Sequence, residues 1–201
     1  AISEEWPAGT VKLEAASENN TVQTRVGDGI EFAVNEKTDG VTFVGDILIK
    51  GNTITQTGSA TDGDETGGIL SEAKPAIGAV FGEKTGTTTA KVSWDIQDNT
   101  IITTNTKKAA IYFEYIDSAA GNDIDYNIVG NILTNAAAGS KGDIYLEIPA
   151  DQAFGIVGSG TITDYSAYIQ ELNTDATVNI DGGSASTISS LTDQVTDWLL
   201  R

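Results

Sequence analysis

The chain has 201 residues, a formal charge of -18 and a sequence pI near 4.1. Such a surface repels nucleic acid and anionic membranes. Without Cys there is neither a disulfide framework nor thiol chemistry, and without His the commonest acid–base side chain is missing.

The first segment, residues 1–10, carries Trp6-Pro7 and opens on Ala1-Ile2-Ser3 rather than Met. This opening suggests a processed, exported chain. No apolar run approaches the roughly 20 residues that span a bilayer.

From residue 11 to 183 the sequence repeats. One element reads Ile49-Lys50-Gly51-Asn52-Thr53-Ile54, then Ile96-Gln97-Asp98-Asn99-Thr100-Ile101, then Ile128-Val129-Gly130-Asn131-Ile132-Leu133. A weaker copy at Asn20-Thr21-Val22 precedes these, and a degenerate one at Gly160-Thr161-Ile162 follows. A second element trails each copy: Gly29 to Val34, Gly68 to Ala73, Ala110 to Tyr115 and Asp143 to Ile148. Its apolar residues alternate, as in Ile144, Leu146 and Ile148, which is the period of a half-buried strand. For the fifth coil the candidates are Tyr168-Ile169-Gln170 and Thr177-Val178-Asn179-Ile180.

Repeats of this kind predict an all-β solenoid, a parallel β-helix of about five coils forming a single domain over 1–201. Equivalent residues then stack one strand spacing apart, about 4.8 Å. Ile49, Ile96 and Ile128 form an interior column; Asn52, Asn99 and Asn131 form a corner column. Asn tolerates left-handed backbone, and its amides can bond along the stack. The second coil holds extra residues, for which 60–67 and 75–89 are the candidate loops. Leu191, Val195, Trp198 and Leu199 predict a short amphipathic helix over 190–200, suited to cover the last rung.

The I-x-[G/D]-N-[T/I]-[I/L] element followed by an I-x-[F/L]-x-[V/I/Y] strand resembles the right-handed parallel β-helix repeat. That repeat occurs in pectate-lyase-like proteins, phage tailspikes and many surface proteins. The resemblance implies a fold, and activities that range from polysaccharide lyases, hydrolases and epimerases to adhesins and inert structural solenoids. Lyases of this superfamily are expected to use calcium-binding carboxylates with a Lys or Arg base. The only Arg residues here are Arg25 and Arg201, and no catalytic constellation matches, so no catalytic residue is assigned.

Three acidic groupings are candidates for chemistry. Asp95 and Asp98 could approach Asp123 and Asp125 of the next coil, a pairing that glycoside hydrolysis would require. Glu31, Glu114 and Glu147, with Glu72 nearby, are expected to form an outward stripe that water, Lys or a cation must relieve. Asp62-Gly63-Asp64-Glu65 is the local metal candidate, with Asp62, Asp64 and Glu65 offered to calcium. Tyr112 and Tyr145, together with Tyr126, Tyr165 and Tyr168, suit either a sugar-stacking surface or a protein contact.

These features predict a secreted or extracellular, non-enzymatic structural protein at a cell surface. It is expected to associate with itself as a homo-oligomer or polymer in a filament, sheath or layer, with Trp6 and Trp198 at its ends as assembly residues. The alternative is a carbohydrate-binding or carbohydrate-processing β-helix that meets surface glycans. Nucleic-acid binding and membrane insertion are not expected.

Overall fold

The computed structural model describes residues 9–24, 29–34, 41–57, 64–65, 68–69, 77–81, 88–103, 109–115, 122–135 and 142–193. The first coil holds β1 (Gly9–Glu18), β2 (Thr21–Thr24) and β3 (Ile30–Val34). The second holds β4 (Val41–Lys50), β5 (Thr53–Gln56), a small antiparallel pair of β6 (Asp64–Glu65) and β7 (Gly68–Ile69), and then β8 (Ile77–Phe81). The third runs through β9 (Thr88–Gln97), β10 (Thr100–Thr103) and β11 (Ile111–Tyr115). The fourth runs through β12 (Asp123–Val129), β13 (Ile132–Asn135) and β14 (Ile144–Glu147). A partial fifth has β15 (Ala153–Val157), helix α1 (Tyr165–Leu172) and β16 (Val178–Asp181), and β17 (Ser184–Ile188) begins a sixth turn.

Strands of successive coils pair in parallel and in register, which makes the chain a parallel β-solenoid. They build three sheets: β1-β4-β9-β12-β15-β17, β2-β5-β10-β13 and β3-β8-β11-β14-β16. The fold class is therefore the expected one. Four coils are complete, against about five expected.

The interior follows from the alternation of β-branched and aromatic residues. Ile54, Ile101 and Leu133 stack in one sheet, and Ile47, Trp94, Tyr126 and Ile156 in another; all are buried. Each such side chain stabilises by about 2–3 kcal/mol on full burial. Where the sheets face each other, aromatic rings lock edge to face. Trp94 meets Phe113 at 4.8 Å, Phe113 meets Tyr126 at 5.4 Å, and Tyr126 meets Phe154 at 6.1 Å between centroids.

Several expectations are corrected. The second coil's strand in the third sheet is Ile77–Phe81, which pairs with Ile30–Val34 and Ile111–Tyr115, and not the segment beginning at Gly68. Gly68 and Ile69 belong to the small hairpin instead. Tyr168-Ile169-Gln170 lies in α1 rather than in a strand, while the other fifth-coil candidate supplies β16. The residues before the corner asparagines, not those asparagines, take the left-handed backbone: Asn19, Gly51, Asp98 and Gly130 have φ between 54° and 71°. The one helix among the described residues is α1. Of the segment 190–200, Ser190 to Asp193 are not helical, and 194–200 lie outside the described residues.

Candidate functional site

The most ordered polar feature is the corner between the first two sheets. Asn20, Asn52, Asn99, Asn131 and Asn173 stack there, one per coil. Each side-chain amide donates to the Oδ1 of the next: Asn20 to Asn52 at 3.1 Å, Asn52 to Asn99 at 3.0 Å, Asn99 to Asn131 at 2.9 Å, and Asn131 to Asn173 at 2.8 Å. The same Oδ1 also accepts the backbone N–H of the preceding asparagine. A second amide hydrogen goes back one coil, to the carbonyls of Ser17, Ile49, Ile96 and Ile128. Asn52, Asn99 and Asn131 are fully buried, so the bonds among them take the place of water.

The expected column of Asn52, Asn99 and Asn131 is thus extended at both ends. Asn20 begins it, as the weaker sequence copy suggests. Its fifth member is Asn173 and not the Gly160-Thr161-Ile162 copy. Helix α1 separates β15 from the corner, so the spacing stretches to 42 residues where the previous step is 32. Asp164 caps α1 by accepting from the Ala167 N–H at 3.0 Å. Asn173 is its C-cap.

The two ends of the column differ. At the C-terminal end, the Asn173 amide donates to Ile169 O at 2.7 Å and its N–H to Gln170 O at 3.2 Å. The last turn of α1 therefore stands in for the next coil. Ile169 is buried in the core, and Tyr165 and Tyr168 pack partly against it, while β16 and β17 are outermost in their sheets and Ile180 and Ala185 keep part of their surface exposed. At the N-terminal end, β1, β2 and β3 are outermost in their sheets. Leu13, Ala15, Val22 and Ile30 pack on the core yet keep part of their surface exposed. Asn20 is exposed, and among the described residues nothing donates to its Oδ1.

On the outer face of the six-stranded sheet lies a groove of about 540 Å³. Glu14, Asp46 and Asp95 line it over Ala16 and Leu48, and the stretch Leu191 to Asp193 forms one wall. The Ser93 hydroxyl donates to the Thr192 carbonyl, and Thr192 in turn hydrogen-bonds Asp125 through backbone and side chain. Burial of Asp125, helped by the nearby Asp123 charge, raises its carboxyl pKa above the ordinary aspartate value.

Other anticipated groupings are rearranged. Asp95 faces Asn127, whose amide donates to it at 2.8 Å, rather than Asp123 or Asp125. Glu31 aligns with Tyr112 through Gly78, two residues out of the expected stripe, whose members are instead Glu114, Glu147 and Asp181. Glu72 lies outside the described residues. The Tyr112 and Tyr145 rings do stack, 5.6 Å apart and 10° from parallel, but both are buried. The Tyr112 hydroxyl lies 2.8 Å from Glu147 and 3.0 Å from Glu114, and that of Tyr145 donates to Asp181 at 3.0 Å. Burial and these carboxylates hold the Tyr112 phenol well above its usual pKa. Tyr126 is an interior residue and offers no sugar surface. Asp64 and Glu65 form β6, while Asp62, Arg25, Trp6 and Trp198 lie outside the described residues. Among the described residues no three acidic side chains gather as a metal site.

The chain matches no protein-family model, no curated protein and no solved structure.

Proposed function

We propose that this chain is a non-enzymatic, extracellular structural protein, a subunit of a cell-surface filament, sheath or layer. One observation carries the reading: both ends of the solenoid present outermost strands. The first coil leaves β1, β2 and β3 outermost over a partly exposed apolar interior, and at the other end β16 and β17 are likewise outermost while α1 fills the corner beside Asn173. An exposed edge invites strand addition, and proteins that stand alone tend to blunt such edges. With strand edges at both ends, the molecule is suited to associate with further copies of itself. The likeness to pectate-lyase-like solenoids is taken as one of fold alone.

The test is fractionation of the producing cells with an antibody to the chain. Recovery in the surface layer, released by mild denaturant, is the expected result. Recovery as a freely secreted protein that cleaves a glycan would overturn the reading.

The groove on the six-stranded sheet favours a second reading, the binding of a surface glycan. Four carboxylates, Glu14, Asp46, Asp95 and Asp193, around an apolar floor suit a sugar chain bearing amino groups, and a glycan array including amino sugars tests this.

A further inference from the structure

We propose that residues 189–193 form a pH-operated strap, which Asp125 holds against the outer face of the six-stranded sheet at low pH and releases as the pH rises. Leu191, Thr192 and Asp193 of this strap are one wall of the groove on that face, so its release reshapes the groove.

One outward row of this sheet runs Glu14, Asp46, Ser93, Asp125 and Gly155, in register from coil to coil. Outward residues of a solenoid meet water, and accordingly Glu14 is exposed and Asp46 half-buried. Ser93 and Asp125 are 4% and 6% exposed, because Thr192 lies across them. The Ser93 hydroxyl donates to the Thr192 carbonyl, and the Thr192 backbone N–H and hydroxyl donate to the Asp125 carboxylate. On its other side that carboxylate fills the space left by Gly155, where a Cβ would collide with it. Just before the strap, Gly158 N–H bonds Ile188 O at 2.9 Å, and the exposed Ser189 and Ser190 that follow serve as the hinge.

A carboxylate sealed in this way loses its hydration. Burial, helped by the nearby Asp123 charge, raises the Asp125 pKa despite the two Thr192 donors. Opening the strap returns water to Asp125, so the open form gives up its proton more readily. Proton release and opening are therefore linked, and closure weakens as the pH rises from the ordinary aspartate range through the raised value. Of the other charged groups around Asp125, Asp123 lies two residues along its own strand with Lys91 paired opposite. Asp95 lies two residues beyond Ser93 on β9, and Asp193 ends the strap, while β15 and β17 bring Gly155 and Ser186. With the strap away, the groove lined by Glu14, Asp46 and Asp95 extends over Ser93 to an ionised Asp125.

The test is amide hydrogen exchange of the full chain, read residue by residue by NMR between about pH 4 and 7 and corrected for intrinsic rates. Protection of the Thr192 amide should fall at least threefold as the pH rises. At every pH it should lie at least tenfold below that of Ile96, an interior residue that exchanges when the whole fold opens. Asp125→Asn should abolish the fall at Thr192. Ser93→Ala frees the Thr192 carbonyl, so it should lower Thr192 protection at every pH and keep the pH dependence. A flat Thr192 profile in the wild type, or the same fall in the Asp125→Asn chain, overturns the proposal. Thr192 protection equal to that of Ile96 also overturns it, since the strap would then leave only with the whole fold. So does a Ser93→Ala chain whose Thr192 amide is as protected as the wild type's.

Discussion

The backbone N–H and the side-chain amide of Asn52 converge on one atom, the Oδ1 of Asn99, at 2.9 and 3.0 Å. Loss of the Asn99 amide strands these two buried donors at once and removes the hydrogen that its Nδ2 gives to Ile49 O. Each buried group left without a partner costs about 1–3 kcal/mol. Asn99→Leu should therefore destabilise by roughly 3–6 kcal/mol, read as a drop in urea midpoint. Asn20→Leu, exposed at the start of the column, should cost about 1 kcal/mol or less. Equal losses at the two sites would show that burial of the column does not set its worth.

Gly130 has φ +71°, and a Cβ built on it meets the Asp98 carboxylate of the coil below. Both the left-handed backbone and the contact oppose any side chain. Gly130→Ala should cost about 1–2 kcal/mol for the backbone alone. Gly160 has φ +76° but open space around it, so Gly160→Ala carries the backbone cost only. The difference between the two melting temperatures measures the Asp98 contact.

Asp125 gives the fold a pH dependence whose sign follows from its raised carboxyl pKa. Between the ordinary aspartate pKa and the raised folded value, the folded state holds more protons than the unfolded. Stability contributed by this group is thus full at low pH and is lost as pH rises through that window. Asp125→Asn removes the ionisation, while its amide oxygen can still accept from Thr192. The variant should gain on the wild type as pH rises from 3 to 7, in paired thermal melts. A constant difference across this range would remove Asp125 as the source.

Tyr112 acts at the other end of the scale. Its phenol is held above the usual tyrosine value by burial and by Glu147 and Glu114. An unfolded tyrosine ionises near pH 10, so the folded chain loses stability as pH climbs beyond that point. Tyr112→Phe should shift the alkaline unfolding midpoint upward. At neutral pH it should lower stability by about 1 kcal/mol through the lost hydrogen bonding.

Much of this architecture is legible in the sequence because the interior repeats. Ile49, Ile96 and Ile128 mark equivalent positions directly, and the adjoining asparagines mark the corner. The misreadings have local causes. Asn173 is preceded by a helix, so the Ile-x-Gly-Asn signature that identifies Asn52 and Asn131 is absent around it, and only the stacking reveals its place. Gly68-Ile69-Leu70 alternates as well as Ile77 to Phe81 does, and pattern cannot separate two candidates within one long coil. Glu31 was aligned by residue type, whereas pairing through Gly78 sets it opposite Tyr112. For Tyr126 a signal was present: it shares parity with Ile124 and Ile128, both buried, and so must point inward with them. The groove is less readable, because its carboxylates come from three strands of different coils and its wall from the far end of the chain.

The corner column also orders charge along the solenoid. Its side-chain amides point the same way, so their dipoles add from coil to coil and each bond polarises the next. The positive end of this row lies at Asn173, against the carbonyls that form the negative end of α1. The negative end emerges at Asn20, in water, with no opposing dipole among the described residues. A protein already rich in carboxylates thus carries an axial field of fixed sense.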